Sequence, residues 1–114
     1  MKPILPSLRQ KKRYLVFEII ANKRLKHFTL IEEGIRKQCL AALGLFDNAK
    51  AGVMVLGERF NYPKQKLIVK VNHIYVDKVK AALTLLTKIG RQRVIFRCVG
   101  VSGILRKAEN KYVR

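Results

Sequence analysis

Acidic residues are scarce in this sequence: seven Asp and Glu stand against 25 Lys and Arg in 114 residues, a formal net charge of +18. Charge of one sign at that density destabilises a compact chain by self-repulsion. A polyanionic partner relieves it, with nucleic acid the first candidate and an anionic membrane surface the second. Cysteine is equally sparse. Cys39 and Cys98 are the only two, which excludes a disulfide framework and reads as two buried free thiols in a cytoplasmic protein. The only histidines, His27 and His73, have no nearby Cys or carboxylate pair at metal-ligand spacing. Long apolar runs are missing too. The longest candidate, from Leu15 to Ala21, is interrupted by Glu18 and is far too short to span a bilayer.

Catalytic motifs are also wanting. There is no GxGxxG, no phosphate-binding loop and no metal motif. Ser102 in VSG lacks the flanks of a nucleophile elbow. Glu32 and Glu33 are adjacent acids at the start of an expected helix, where the helix dipole favours them. These features argue against a self-sufficient enzyme.

What the chain does have is a core and a charge pattern. At 49% hydrophobic it can fold as one domain that buries roughly two-thirds of its unfolded surface. The charge gathers at the ends. Residues 1–26 hold eight cations and one acid, and residues 88–114 hold the same, so the ends carry +14 of the net +18. The stretch LRQKKRYLVFEI at 8–19 loads the entrance of an apolar strand with Arg9, Lys11, Lys12 and Arg13.

Hydrophobic periodicity predicts six elements. Tyr14 to Ile20 is a strand. Phe28 to Leu43 is a helix, with a Thr29–Glu32 capping box and a stop at Gly44. Strands follow at Gly52 to Leu56 and Lys66 to Asn72, joined by a turn through Pro63. A second helix runs from His73 to Ile89, ended by Gly90, and a last strand from Arg93 to Val101. The order β-α-β-β-α-β, with right-handed crossovers, is an α+β ferredoxin-like, RRM-like two-layer sandwich: a four-stranded antiparallel sheet with both helices on one face. Residues 1–103 form the single domain with a basic N-terminal arm, and residues 104–114 a basic C-terminal tail.

The expected core is Leu15, Phe17, Ile19, Ile35, Cys39, Val69, Val71, Val79, Leu83, Leu86, Val94 and Phe96. The other sheet face is expected to be uncovered. Its apolar residues Tyr14, Val16, Ile68, Ile95 and Val99 would then serve a protein partner. Antiparallel first and last strands place Arg13 beside the exit of the last strand, so the N-terminal cations join those of the tail at one rim.

A single-strand-binding variant of this fold stacks bases on aromatics of its third strand. Here that strand, KLIVKVNH, has no aromatic, and Tyr14 is a lone candidate on the first. Phosphate contact by Lys and Arg needs only charge and reach. The candidates are Arg9, Lys11, Lys12, Arg13, Arg106 and Lys107 at one rim, Arg59, Lys64 and Lys66 along the middle hairpin, Arg91 and Arg93 at the opposite rim, and Arg97 on the sheet.

Four segments carry a family likeness: LPSLRQKKRYLVFEI at 5–19, AGVMV at 51–55, VNHIYVDKVKAAL at 71–83 and VGVSGILRKAENKY at 99–112. With them the chain resembles the small protein subunits of archaeal and eukaryotic-type ribonuclease P. The resemblance spans nearly the whole chain and is most specific at 71–83 and 99–107. It implies a noncatalytic RNA-binding subunit of the enzyme that removes the 5′ leader from precursor tRNA. The RNA component would carry the chemistry, with magnesium at its active site and no cofactor bound by the protein. The implied partners are ribonuclease P RNA, a TIM-barrel-like protein subunit and other ribonuclease P proteins, with precursor tRNA contacted indirectly and no membrane. Two alternatives stand beside it. One is another RNA-binding protein of this fold, such as a ribosomal one. The other is a small acylphosphatase-like hydrolase, for which Arg13, Asn72 and the 102–106 loop would have to surround an anion.

Overall fold

The structure, a computed structural model, describes residues 11–114. Arg9 lies outside the described residues. Three long strands organise the molecule: β1 (Lys12–Ile20), β3 (Lys66–Asn72) and β6 (Ile95–Ser102), with a short edge strand β2 (Met54–Val55). They form one antiparallel sheet in the order β2-β3-β1-β6. Two helices, α1 (Phe28–Ala51) and α2 (Val76–Thr84), pack on the first face. This is the ferredoxin-like α+β arrangement. All twelve expected core residues lie in the cluster between that face and the helices.

Several boundaries differ from the sequence expectation. Gly44 leaves helical geometry (φ 81°, ψ 169°), but α1 resumes beyond it as far as Ala51 and ends at Gly52 in the left-handed region (φ 60°). A glycine thus bends the helix without ending it, because Ala51 is buried and holds the second segment down. The Thr29–Glu32 capping box does not form. The N-cap is His27, with no side-chain cap, and the neighbouring Glu33 turns to Lys37 one turn on (2.9 Å). The second helix is shorter than expected. A 3₁₀ turn at His73–Tyr75 precedes α2, and a hairpin of β4 (Lys88–Ile89) and β5 (Gln92–Arg93) follows it. Gly90 (φ 61°) opens the two-residue hairpin turn, a position where glycine is favoured.

The larger correction concerns the second sheet face, which is covered. Residues read as a tail fold into a short helix α3 (Leu105–Ala108) and a π-helical turn (Glu109–Val113). Ala108 and Val113 bury themselves against Val16 and Ile68, flanked by Tyr14, Leu56, Val99, Leu105 and Tyr112. Tyr112 lies directly on Gly100, where any Cβ would overlap its ring. The β1–β6 register shifts between Val16 and Phe17, which pair with Gly100 and Cys98. Val99 falls at that irregularity, and Gly100 comes under the ring.

Among the described residues, no helix is long and apolar enough to cross a membrane.

Candidate nucleic-acid interface

The cations at the start of β1 are held by backbone pairing. Lys12 sits opposite Asn72, and Tyr14 opposite Ser102. The ladder continues outward through the His73 amide, which donates to the Lys11 carbonyl (2.8 Å). Lys12 Nζ donates to the Asn72 side-chain oxygen, and the Asn72 amide nitrogen donates to the Lys50 carbonyl in the last turn of α1. A lysine ammonium beside a helix C-terminus is favoured by the helix dipole. Arg13 runs beside Gly103, whose Cβ, if it had one, would lie 3.2 Å from Nη1. Lys11, Lys12, Arg13 and Lys50 therefore share one rim of the sheet with the loop that leads into Arg106 and Lys107. Of that rim, Lys11, Lys12, Lys50, Arg106 and Lys107 are exposed and Arg13 is half-buried.

A second basic site lies along the C-terminal segment. Arg59, from the 3₁₀ turn Gly57–Arg59, donates to Glu109 (2.7 Å), and Arg114 approaches the other oxygen of the same carboxylate (3.5 Å). These three and Arg106 line one groove of about 640 Å³. The groove keeps an excess of two charges after one is spent on Glu109.

The remaining candidates separate from these. Lys66 and Arg97 flank Glu18 across three strands, and Arg97 pairs with it (2.8 Å). Exposed pairs of this kind contribute little to stability and leave the arginine available. Lys64 is exposed in the turn before β3. Arg91 and Arg93 are exposed on the β4–β5 hairpin.

Among the residues expected to meet a protein partner, Val16 and Ile68 are fully buried, and Tyr14 and Val99 partly so, under α3 and its following turn. Ile95, opposite Ile20 at the far end of the sheet, is 60% exposed. The sequence reading missed Lys50 and Arg114, which the fold brings to the two basic sites. Both were already inside the excess of positive charge, but no strand pattern placed them.

The hydrolase arrangement is not assembled. Asn72 is buried, and its side chain is engaged by Lys12 and by the Lys50 carbonyl, so it does not face an open anion site. Burial pushes the Cys39 thiol up to about 11, leaving it protonated and unreactive near neutral pH. The Glu33 carboxyl is held below its ordinary value by its hydrogen bond to Lys37. The Tyr75 hydroxyl is raised by desolvation and by Asp47.

The sequence pattern of the Rpp14/Pop5 family matches residues 13–113. Ribonuclease P protein component 2 of Archaeoglobus fulgidus is 36% identical over 119 aligned positions, covering 99% of this chain and 98% of that one. Its counterpart in Thermococcus kodakarensis is 34% identical over 108, covering 95% and 88%. The one from Methanosarcina mazei is 32% identical over 114, covering 100% and 94%. Among solved structures, a chain of yeast ribonuclease MRP superposes with a TM-score of 0.65 at 8% identity, covering 92% of this chain and 87% of that one. That likeness is one of fold. The family match takes in the covered second face and all of the sheet but Lys12, and the chain belongs to the Rpp14/Pop5 family.

Proposed function

We propose that this chain is a noncatalytic RNA-binding subunit of ribonuclease P that supports the catalytic RNA in removing the 5′ leader from precursor tRNA. The observation that carries this reading is the near full-length match to ribonuclease P protein component 2 from several archaea. The charge distribution fits it. Lys11, Lys12 and Arg13 at the sheet rim and Arg59, Arg106 and Arg114 in the C-terminal groove offer forked and point-charge contacts to phosphates. In this reading the sheet faces are packing surfaces, and bases do not stack on the third strand. The hydrolytic chemistry and its magnesium belong to the RNA, and the protein itself binds no cofactor. Its protein partners are a TIM-barrel-like subunit and other ribonuclease P proteins, with precursor tRNA met indirectly, and it works in the cytoplasm. The apolar residues left in water, Leu45 and Phe46 just past the bend of α1 and the Ile20–Ile95 pair, offer contact area for such partners.

The test is the RNA that travels with the protein. The tagged chain is recovered from its own cells after crosslinking, and the bound RNA is sequenced. One dominant RNA that cleaves precursor tRNA at the mature 5′ end, and that is lost when Lys11, Lys12 and Arg13 become Gln, supports the reading. Ribosomal RNA in its place contradicts it.

A further inference from the structure

A groove lies at the opposite end of β1 from Lys12, between the β1–α1 loop and the β4–β5 hairpin. Its volume is about 880 Å³. Four cations line it: Lys23, Arg24 and Lys26 from the loop and Arg91 from the hairpin. No acid is among the described residues of its lining. Its apolar wall is Leu25, Leu30 and Ile89, with Tyr62 beside them. Leu30, on the first turn of α1, is 45% exposed, while Ile31 beside it is fully buried.

The loop that carries the cations is fixed. Gln65, buried and held at φ 53°, accepts from the Leu25 amide (2.8 Å) and donates to the Leu25 carbonyl (3.3 Å) and the Tyr62 carbonyl (2.7 Å). Gln92 on the hairpin donates to the Lys23 carbonyl (2.6 Å). Two glutamines thus tie the loop to β3 on one side and to the hairpin on the other. A surface loop that served only solubility would not need its backbone clamped in this way. A rigid recess with apolar walls and a wholly positive rim is complementary to a flat apolar ring carrying phosphates on either side. A duplex presents only its phosphates and sugars to such a recess and leaves the wall unused.

We propose that this groove takes an unpaired nucleotide of RNA, its base against Leu25, Leu30, Ile89 and Tyr62 and its flanking phosphates on Lys23, Arg24, Lys26 and Arg91. The inference deepens the ribonuclease P reading and rests on it for the source of the RNA. Its consequence is geometric. β1 has nine residues, so at about 3.3 Å per residue the two ends of the strand stand about 26 Å apart. The chain would then hold two RNA segments, a backbone at the Arg13 rim and a single-stranded nucleotide at the far end.

The test uses the full chain and a short oligouridylate containing 4-thiouridine, with an RNA duplex of the same length as the comparison. The single strand should bind more tightly than the duplex, and crosslinks should map to Tyr62 or its groove neighbours. Leu30→Ser and Tyr62→Ala, both at half-exposed or exposed positions, should each weaken the single strand by about tenfold with the salt slope unchanged. Replacing Arg24, Lys26 and Arg91 together by Gln should flatten the log–log salt slope by about 2. Leu30→Ser stands alone as the wall variant if Tyr62→Ala unfolds. Equal affinity for single strand and duplex with the wall variants indifferent, or no binding of the oligouridylate, overturns the proposal. So does wall-variant binding at the wild-type level together with loss of co-elution with the TIM-barrel-like subunit, which would make the groove a protein contact. The ribonuclease P reading is judged separately, by whether precursor-tRNA cleavage by the reconstituted RNA depends on the wild-type chain. The groove can fail while that dependence stands, and the reverse.

Discussion

The packing of Tyr112 on Gly100 lends itself to a double-mutant cycle. Gly100 lies outside the left-handed region, so alanine is acceptable to the backbone there, and the nearest obstacle to a Cβ is the Tyr112 ring. Gly100→Ala should therefore force the ring away and loosen Ala108 and Val113 from Val16 and Ile68. Overpacking of this kind costs about 2 kcal/mol, or about 10 °C in Tm for a chain of this size. Tyr112→Ala alone gives up the ring's contacts at a comparable cost of about 2 kcal/mol. In the Tyr112→Ala background the added methyl no longer meets the ring, and Gly100→Ala should become neutral or stabilise by up to about 1 kcal/mol through the unfolded chain. The two changes should thus be coupled by about 2–3 kcal/mol, read from urea unfolding of the four proteins. If Gly100→Ala destabilises equally in both backgrounds, the ring is not on Gly100, and the C-terminal segment does not close the second face as described.

Three further outcomes follow from other parts of the molecule. Replacing Lys11, Lys12 and Arg13 by Gln should flatten the salt dependence of RNA binding by about 2 in log–log slope, while the unfolding midpoint shifts little; an unchanged slope removes this rim from the RNA surface. Gln65→Ala abandons the Leu25 amide and two carbonyls and should cost about 3 kcal/mol in urea unfolding; a loss under 1 kcal/mol would show that the loop is not clamped by it. Because burial raises the Cys39 thiol from 9.0 to about 11, the folded chain retains a proton there that the unfolded chain loses. Its contribution to stability is complete below about pH 9 and declines as pH rises towards 11. The difference in stability between wild type and Cys39→Ala should shrink over that interval, and a difference that grows would contradict the buried thiol.

The residues themselves carried more of this fold than the periodicity alone conveyed. Alternation in KLIVKVN predicts one buried face, yet Leu67, Ile68 and Val69 are all fully buried, as are Leu15, Val16 and Phe17. Unbroken apolar triplets in the two central strands are the mark of a sheet covered on both sides, and they call for a second layer that only the C-terminal segment can supply. That segment looked like a tail because it carries four of the eight cations of residues 88–114 and its apolar residues are few. Ala108 and Val113 are small, and a glycine at position 100 is what lets Tyr112 approach. Gly44 and Gly90 were legible as interruptions, but whether a helix resumes or a hairpin forms was decided by the burial of Ala51 and Ile89, a tertiary matter. The rim at Arg13 was foreseeable because strand antiparallelism alone sets it. The groove around Leu25 was not, since its cations come from separate loops and its shape from two glutamines far apart in the chain.

A subunit of this kind should make ribonuclease P RNA a better enzyme. The direct measurement is reconstitution: ribonuclease P RNA, the TIM-barrel-like subunit and precursor tRNA are combined at moderate magnesium, with and without the chain. Cleavage at the mature 5′ end that rises on its addition, and that fails with the Lys11, Lys12 and Arg13 to Gln variant, is the predicted result. Cleavage at the same rate with and without a folded wild-type chain would contradict the account.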